Sequence, residues 1–404
     1  MKHIIILGDG MADQPIEKLG GKTPLMAANT PHIDQLAKKG KNGLLVTVPS
    51  DMHPGSEIAN MGVLGYDVKA VYQGRGVLEA ASMGVQLNND DLALRCNLIC
   101  IEKENIKNHS AGHISTEEAS QLIEFLNEKL STDKIKFYPG VSYRHLLVIK
   151  GGNAALNCTP PHDVPNKAFK PLLVKALNDS AKETANTLNE LIIKSQVLLS
   201  NHPVNTARKA AGKDMANSIW PWSPGNKPQM PTLKQMYGIE KSAVISAVDL
   251  IQGIGVYAGM EVIKVEGATG LYDTNYEGKA QAAIDALKKG ANLVYLHIEA
   301  SDEAGHEGDV DLKIKTIEYL DYRIVKPIMA AIEQMDEPVA IGILPDHPTP
   351  CAIRTHTHDP IPFIIYRSGE APDNVDVYDE QQAQNGHYGT LKGNEFIRAL
   401  LGQM

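Results

Sequence analysis

Three short apolar runs of this chain are each followed closely by an aspartate. Asp9 comes after the first run, and Asp302 and Asp346 come after two runs near the other end of the sequence. In an open α/β sheet, ligands bind beyond the carboxyl ends of the strands. Three carboxylates at that edge would repel one another unless a cation lay among them. The pattern therefore predicts a divalent-metal site.

Histidines accompany these aspartates. His306 lies four residues after Asp302, so both can face one point from a helical turn. His347 directly follows the third aspartate, and His356 and His358 precede a further apolar run. A single histidine near a strand end is usually only hydrogen-bonded, but the whole set favours metal binding. Aspartate and histidine ligands without clustered cysteines favour manganese or zinc, and they also allow magnesium.

Ser56 is the candidate nucleophile. It follows a Pro54-Gly55 turn and would stand at the start of a predicted helix. Local sequence alone favours an N-cap serine there, and the two roles are compatible. The N–H groups of a helix start also favour a bound phosphate. A bound metal lowers the pKa of a serine hydroxyl and makes it a nucleophile, so the set predicts phosphoryl-transfer chemistry.

The elements that must position these residues alternate between strands and helices. The strand-like runs are nearly continuous in apolar residues, which indicates an α/β sheet covered by helices on both faces. The predicted strands are 3–7, 43–48, 291–298, 338–344 and 362–366. The predicted helices are 30–39, which Thr30 would cap, 280–289 and 312–335.

The middle of the chain has a different pattern. A helix over 115–130 would begin with a capping box of Ser115 and Glu118, and a strand over 141–150 and a helix over 182–200 follow. The stretch 217–231 is rich in Pro, Gly and Trp and is predicted as a loop. We therefore predict one α/β domain built from residues 1–84 and 255–404, with an α+β domain inserted at 85–254.

Composition excludes several classes of function. The formal net charge is −9, and no basic run is longer than two residues, which argues against nucleic-acid binding. The chain has no run of 18 apolar residues, so no membrane span is predicted. The first apolar run is too short for a signal peptide, and we therefore expect a cytoplasmic protein. Four cysteines, of which Cys96 and Cys100 fit a buried segment, make no disulfide framework.

Longer motifs carry a family resemblance. They are residues 3–22, 54–56, 65–67, 74–76, 246–255, 266–279, 298–306 and 346–362. These motifs resemble those of the archaeal-type cofactor-independent phosphoglycerate mutases, which belong to the alkaline phosphatase superfamily. The resemblance spans nearly the whole chain. It implies an alkaline-phosphatase-like, doubly wound α/β sheet that carries an inserted α+β domain.

The resemblance also implies two divalent metal ions. One ion would be held by Asp9, Ser56, Asp346 and His347, and the other by Asp302, His306 and His356. His356 fits the family pattern His-x-x-x-Pro-x-Pro better than His358 does. Three carboxylates and a serine alkoxide would balance the two ions. Lys279, which matches the lysine that supports the phosphate, and nearby arginines would then hold the phosphate dianion.

The implied reaction is a glycolytic phosphoryl transfer on a small phosphorylated metabolite. Ser56 would take the phosphoryl group from 3-phosphoglycerate and return it to the 2-hydroxyl. The inserted domain would bind the glycerate carboxylate and exclude water. Its candidate substrate-binding residues are Arg95, His109, Arg144, His162 and Asp163, with Arg208 as a further cation.

The inserted domain departs from the family pattern at 108–115 and 217–225, where arginines are usual. Four segments accompany these departures, Cys96-Asn97-Leu98, Ser142-Tyr143-Arg144-His145, Trp220-Pro221-Trp222 and, outside the inserted domain, 344–350. They resemble the branch proposed to be homoserine kinases. A phosphotransferase acting on homoserine is therefore the alternative to the mutase, and an ester hydrolase or a non-catalytic binding protein is favoured less. Gly253-x-Gly255 lacks the preceding strand of a dinucleotide-binding loop. The sequence does not predict the oligomeric state.

Overall fold

The computed structural model describes residues 1–404, which divide into two units. The first unit comprises residues 1–72 and 230–404, and the second comprises residues 73–229. The sequence placed the boundaries later, near residues 84 and 255. They lie earlier because the helix Arg75–Ser82 packs on a sheet of the second unit, whereas the strand Ser242–Ile245 belongs to the sheet of the first.

Fifteen strands form the sheets. In chain order they are β1 (Lys2–Gly8), β2 (Lys41–Val46), β3 (Asp91–Glu102), β4 (Asn105–Asn108), β5 (Ile135–Tyr138), β6 (Arg144–Lys150), β7 (Leu156–Asn157), β8 (Lys175–Ala176), β9 (Ser218–Asn226), β10 (Ser242–Ile245), β11 (Glu261–Val262), β12 (Leu293–Ile298), β13 (Val339–Leu344), β14 (Ile361–Tyr366) and β15 (Thr390–Lys392).

Fifteen α-helices accompany them. They are α1 (Pro24–Ala27), α2 (Pro31–Lys39), α3 (Ser56–Val63), α4 (Val68–Val71), α5 (Arg75–Ser82), α6 (Thr116–Leu130), α7 (Lys182–Ser200), α8 (Pro203–Ala210), α9 (Leu233–Tyr237), α10 (Asp249–Tyr257), α11 (Tyr276–Lys288), α12 (Ala300–Glu307), α13 (Val310–Tyr319), α14 (Lys326–Ile332) and α15 (Glu395–Leu401). Short 3-10 helices lie at Glu17–Leu19, Pro161–Asp163, Lys170–Leu172, Asp179–Ala181 and Gln382–Asn385. None of the helices is both long and apolar enough to cross a bilayer.

The first unit is built on an eight-stranded sheet in the order β11-β10-β12-β1-β13-β14-β2-β15. All strands run in one direction except β14, which is antiparallel to both neighbours. The central strand β1 pairs with β12 and β13, with Gly8 opposite Ile298 and Leu7 opposite Leu344. The three strands therefore end side by side. The residues that follow them, including the three predicted aspartates, meet at one edge.

The central strands are buried on both faces, which explains why their sequences are almost continuously apolar. Ile4, Ile5 and Ile6 are fully buried although successive side chains point to opposite faces. Helices cover each face, as the α/β fold class predicts. The five strands predicted from apolar runs are all present, as β1, β2, β12, β13 and β14.

Helix α2 begins differently from the prediction. The side chain of Thr30 makes no capping hydrogen bond. Instead, the buried carboxylate of Asp321 accepts the backbone N–H groups of His32 (2.9 Å) and Ile33 (2.7 Å). Asp321 lies in a π-helical turn, Leu320–Val325, which interrupts the single helix predicted over 312–335. A distant buried carboxylate thus replaces the local cap, because it satisfies two backbone donors and the helix dipole together.

The second unit contains a five-stranded antiparallel sheet, in which β3 pairs with β4, β6 and β9, and β5 pairs with β6. The prediction of a loop over 217–231 was wrong, because Ser218–Asn226 forms β9. Pro221 and Pro224 are tolerated there because β9 pairs only with β3, so one of its edges needs no backbone donors.

Helices α6 and α7 confirm the two helices predicted in this unit. Ser115 caps α6 by accepting the N–H of Glu118 at 3.2 Å. The carboxylate of Glu118, however, pairs with buried Arg208. Arg208 also donates to the carbonyls of Ala111 and Asp214. Arg208, a candidate for substrate binding, is therefore a structural cation whose donors are used within the fold.

A buried ion pair ties α13 to two loops at the carboxyl edge of the large sheet. Lys313 Nζ donates to Asp13 Oδ2 (2.8 Å) and to the carbonyls of Ala12 (3.1 Å) and Thr349 (2.8 Å). Both charged side chains are completely buried. Such a pair is strongly destabilising when only one partner is removed, because the other charge stays buried without compensation.

We therefore expect Lys313→Met to lower the free energy of unfolding by about 3–5 kcal/mol. Lys315→Met, two residues along the same helix and exposed, should change it by less than about 0.5 kcal/mol. Urea unfolding followed by circular dichroism measures both. Equal effects of the two substitutions would contradict a stabilising role for the buried pair.

Candidate metal centre and nucleophile

The carboxyl ends of β1, β12 and β13 bring three buried aspartates together. Asp9, Asp302 and Asp346 are at most 5% exposed. Burial and the charges of Asp346 and Asp302 raise the pKa of Asp9 well above its ordinary value. Ionised carboxylates that lie together and are buried from solvent require compensating positive charge.

One group of side chains that can hold a metal is formed by Asp302, His347 and His356, whose ligand atoms lie within 4.8 Å of one another. His306 faces the same group. Its Nε2 lies 3.2 Å from Asp302 Oδ2 and 3.0 Å from His356 Nε2. The rings of His347 and His356 stack at 3.8 Å between centroids. Three histidines therefore converge on one aspartate.

The hydrogen bonds behind these rings define which nitrogen faces the group. His306 Nδ1 lies 3.1 Å from the carbonyl of Arg354, and His356 Nδ1 lies 2.5 Å from that of Pro54. A carbonyl only accepts, so each Nδ1 carries a hydrogen and the Nε2 atom of each ring faces Asp302. The hydrogen bond to Asp302 raises the pKa of His306 to about 9, which shows how strongly these atoms attract positive charge. Such a donor set fits a divalent cation.

A second group is formed by Asp9, Asp346 and His297. His297 Nε2 lies 3.0 Å from Asp9 Oδ2. Burial, helped by the charge of Lys279, lowers the pKa of His297 to about 4, so the ring is neutral and can act as a ligand. His297 was not among the predicted ligands, because it lies within an apolar strand rather than after it. A single histidine among fully buried strand residues was the available signal.

His347 lies between the two groups. Its Nε2 is 3.6 Å from Asp9 Oδ1 and 3.4 Å from Asp346 Oδ2. The structure thus brings all seven predicted ligands together, but it groups them differently. His347 faces both groups, and His297 joins the second. His358 stays outside them, with its Nε2 2.7 Å from the carbonyl of Met52.

Ser56 is the first residue of α3, and Gly55 occupies the N-cap position. The serine side chain makes no capping hydrogen bond, so the N-cap interpretation was wrong. Its Oγ lies 3.1 Å from His347 Nε2. The hydroxyl therefore faces the candidate ligands instead of the helix backbone.

A layer of hydrogen bonds fixes this arrangement from behind. Asn60 Nδ2 donates to Asp346 Oδ2 and to the carbonyl of Ser56, both at 2.8 Å, and its Oδ1 accepts the hydroxyl of Tyr295. The N–H of Gly10 donates to Asp346 Oδ1 at 3.1 Å. Neither Asn60 nor Tyr295 was recognised in the sequence, where each reads as an ordinary helix or strand residue.

Lys279 lies on α11 and is almost fully buried. Its Nζ donates to the carbonyl of Thr269 at 3.3 Å. Burial, opposed by the charge of Glu299, lowers the pKa of Lys279 to about 8. This lysine is therefore charged near neutral pH but loses its proton readily in mildly alkaline solution.

The second unit gathers four of its five predicted substrate-binding residues around two aromatic rings. The guanidinium of Arg95 lies 4.9 Å over the ring of Trp222, and His162 packs edge-on against the same ring. Arg144 lies 5.5 Å over Tyr143, and His109 contacts both Tyr143 and His162. We call these six side chains the cation–aromatic cluster. Asp163, the fifth predicted residue, is exposed and lies 3.4 Å from His162 Nε2.

The cluster concentrates positive charge in a rigid frame. Burial and the nearby charges of Arg75 and Arg144 lower the pKa of Arg95 against the opposing effect of Glu79. Non-glycine residues with positive φ flank the cluster, at Ala111, His113, Ser142 and Ser223. Strained backbone of this kind commonly accompanies binding sites. Trp222 was not among the predicted site residues, because tryptophan near prolines reads as a loop.

Comparison with known proteins gives consistent results over the whole chain. The family model described as 2,3-bisphosphoglycerate-independent phosphoglycerate mutase matches residues 37–205. A protein of that name from Methanosarcina mazei is 52% identical over 404 residues, covering 99% of this chain and 100% of the relative. A probable one from Geobacter sulfurreducens is 49% identical, covering 99% and 100%.

Two solved structures are also similar. A protein from Pyrococcus horikoshii superimposes with a TM-score of 0.83 at 30% identity, covering 100% of this chain and 98% of that one. A cofactor-independent phosphoglycerate mutase from Thermoplasma acidophilum gives a TM-score of 0.70 at 26% identity, with coverage of 100% and 99%.

A mostly parallel α/β sheet with a second unit inserted in the chain, similar to the solved cofactor-independent phosphoglycerate mutase, defines the class of fold and confirms the predicted α/β sheet with an inserted domain. Within that class, the chain belongs to the family of 2,3-bisphosphoglycerate-independent phosphoglycerate mutases. The family resemblance seen in the motifs is thereby confirmed. The roles of the individual site residues stay predictions.

Gly10 offers a test of the predicted metal centre. Its φ is +61°, and a methyl group there would lie 2.5 Å from Thr349 Oγ1 and 2.6 Å from Asp302 Oδ1. We expect Gly10→Ala to weaken Mn²⁺ binding at least about tenfold, because Asp302 must move. Isothermal titration of metal-free protein with Mn²⁺ measures the effect.

Gly20→Ala is the matched control. Its φ is +67°, but nothing lies within 4 Å of the added methyl group. It should carry the cost of left-handed backbone, about 1–2 kcal/mol, without any loss of Mn²⁺ affinity. Wild-type affinity in Gly10→Ala would place the metal elsewhere.

Proposed function

We propose that this protein interconverts 3-phosphoglycerate and 2-phosphoglycerate through a phosphoserine at Ser56. The observation that carries the proposal is the position of Ser56 Oγ, 3.1 Å from His347 Nε2 and facing buried carboxylates and histidines. Relatives named as 2,3-bisphosphoglycerate-independent mutases over the full length support the reaction. We further propose a cytoplasmic glycolytic enzyme without nucleic-acid or membrane partners.

The donor atoms fit two divalent ions, for which manganese or zinc is favoured and magnesium is allowed. We propose Asp302, His306 and His356 for one ion. For the other we propose Asp9, Ser56, Asp346 and His347, with His297 as an additional ligand. Ions bound there would activate the serine hydroxyl and neutralise the charge of the phosphoryl oxygens.

The residues of the chain then have distinct tasks. Ser56 Oγ attacks phosphorus, and the new Oγ–P bond forms as the bond from phosphorus to the 3-oxygen of glycerate breaks. The proton that leaves Ser56 is returned to that oxygen. In the second half the 2-oxygen attacks the phosphoserine, and Ser56 recovers its proton. Neither water nor a nucleotide is consumed, and Lys279 supports the transferred group with its positive charge.

The cation–aromatic cluster is the proposed carboxylate-binding site. Planar guanidinium groups pair with carboxylates through two parallel hydrogen bonds, and Arg95 and Arg144 are held against aromatic rings that restrict their rotamers. His109 and His162 offer further donors. Asp163 would repel a carboxylate, so we assign it the orientation of His162. The substrate class is thus a small phosphorylated carboxylic acid.

Phosphorus NMR of the reaction mixture, with no manganese present, tests the proposal. Protein loaded with Mg²⁺, which does not broaden the spectrum, is mixed with 3-phosphoglycerate in the absence of bisphosphoglycerate and ATP. We expect the resonance of 2-phosphoglycerate to appear with the wild type. It should be absent with Ser56→Ala, because no phosphoserine can form.

Other outcomes would redirect the assignment. A spectrum that stays unchanged with metal bound would contradict the mutase, and phosphoserine transfer to added homoserine would then identify the alternative acceptor. Free phosphate alone would mean that water reaches phospho-Ser56 and that the protein is a hydrolase. Ser82→Ala, an unrelated serine substitution, should behave as the wild type.

The lowered pKa of Lys279 predicts a pH dependence. The ammonium holds its proton below about pH 8 and loses it above, so kcat/KM should fall as the pH rises through about 8. Lys279→Arg keeps its charge across that range. We therefore expect the alkaline decline to disappear in this variant, even if its maximal rate is lower. An unchanged decline in Lys279→Arg would assign the titration to another group.

A further inference from the structure

Thr349, to which no role has been assigned, contacts one proposed ligand of each of the two ions. It follows β13 by five residues and is completely buried. Its Oγ1 lies 2.5 Å from Asp302 Oδ1 and 3.3 Å from His347 Nδ1. The hydroxyl therefore touches one ligand from each side of the centre.

The chemistry of these three groups fixes the direction of each hydrogen bond. An ionised carboxylate only accepts, so the single hydroxyl hydrogen of Thr349 is donated to Asp302. The lone pairs of Oγ1 are then free to accept from His347 Nδ1–H. Because a neutral imidazole carries only one hydrogen, the lone pair of His347 must lie on Nε2. That atom is the one that faces Ser56 Oγ at 3.1 Å.

We propose that Thr349 is a positioning residue that holds His347 in its Nδ1–H form and aims the Nε2 lone pair at the site of Ser56. The relay runs from His347 through the threonine hydroxyl to Asp302. It orients two proposed metal ligands with one side chain. The role in turnover rests on the proposed function, whereas the tautomer and the metal affinity do not.

The backbone around Thr349 makes it suited to this task. Its carbonyl accepts from Lys313 Nζ at 2.8 Å, and its N–H donates to the carbonyl of Ala12 at 3.2 Å. A methyl group on Gly305 would lie 2.4 Å from the same carbonyl, so α12 approaches closely. The hydroxyl thus has a fixed position before any ligand binds. Fixed outer partners of this kind commonly strengthen metal binding about 10- to 100-fold.

Thr349→Val tests the proposal, because it replaces the hydroxyl by a methyl group of similar size. Two measurements use metal-free and Mn²⁺-titrated protein and need no substrate. Nitrogen-15 NMR of histidine-labelled, metal-free protein reports the tautomer of His347, assigned with His347→Gln. Isothermal titration reports Mn²⁺ affinity.

We expect the wild type to show the Nδ1–H tautomer at His347 and Thr349→Val to lose it. Mn²⁺ affinity should fall at least about tenfold in Thr349→Val and return in Thr349→Ser, which keeps the hydroxyl. With 3-phosphoglycerate, kcat should fall while KM changes less than about twofold, because the residue acts on the nucleophile and not on carboxylate binding.

Thr316→Val is the matched control. Thr316 is also buried, but its hydroxyl donates to the carbonyl of Lys313, within its own helix. It should leave the tautomer and the Mn²⁺ affinity unchanged. Should Thr349→Val fail to fold, Thr349→Ala carries the same test, because it removes the hydroxyl without adding a metal-binding group.

The proposal is overturned if Thr349→Val or Thr349→Ala keeps both the Nδ1–H tautomer and wild-type Mn²⁺ affinity. If the Thr349 variant loses both the tautomer and the Mn²⁺ affinity but the wild type has no mutase activity, the positioning role stands. Only the proposed reaction is then contradicted. If the wild type has mutase activity but the Thr349 variant keeps the tautomer of His347 and the Mn²⁺ affinity, only the positioning role is contradicted.

Discussion

The mutual repulsion of three buried carboxylates is the constraint on which the first unit depends. Asp9, Asp302 and Asp346 lie side by side because β1, β12 and β13 are adjacent, parallel and aligned in register. Nothing in the apolar core can compensate their charge, so the polar structure of this unit is arranged around that need. Backbone N–H groups, the amide of Asn60 and four imidazole rings all direct donors or lone pairs into the same small volume. The ion pair of Lys313 and Asp13 then fixes the loops that carry these groups.

The second unit has the opposite electrostatic problem. Arg95 and Arg144 are held close enough to affect each other, and each lies over an aromatic ring, while Arg95 Nε also pairs with Glu79 Oε1 at 3.1 Å. An aromatic face lowers the cost of burying a guanidinium without neutralising it. Asn97 adds rigidity by accepting from the indole of Trp222 and donating to the carbonyl of His109. Concentrated negative charge in one unit and concentrated positive charge in the other give two kinds of site, one for cations and one for anions.

Sequence reasoning succeeded where a local pattern and a topological rule act together. Continuous apolar runs predicted β1, β12 and β13, and the rule that ligands gather beyond strand ends then predicted which aspartates would meet. It failed where a distant partner overrides local preference. Asp321 caps α2 from 288 residues away, a free edge makes room for prolines in β9, and an ion pair with Glu118 occupies Arg208. His297 and Thr349 were missed for a related reason. Each matters only because of what other strands place beside it, and a single sequence does not contain that information.

The central position of β1 has a consequence for how the chain is made. This strand is synthesised well before both of its neighbours, β12 and β13, which belong to residues 293–344. The second unit, by contrast, is one continuous segment and can fold while synthesis continues. The apolar residues of β1 therefore lack both native neighbours until residues 293–298 have been synthesised. During this interval β1 can associate with non-native segments of the chain. Chaperone protection of β1 would matter most at that stage of synthesis.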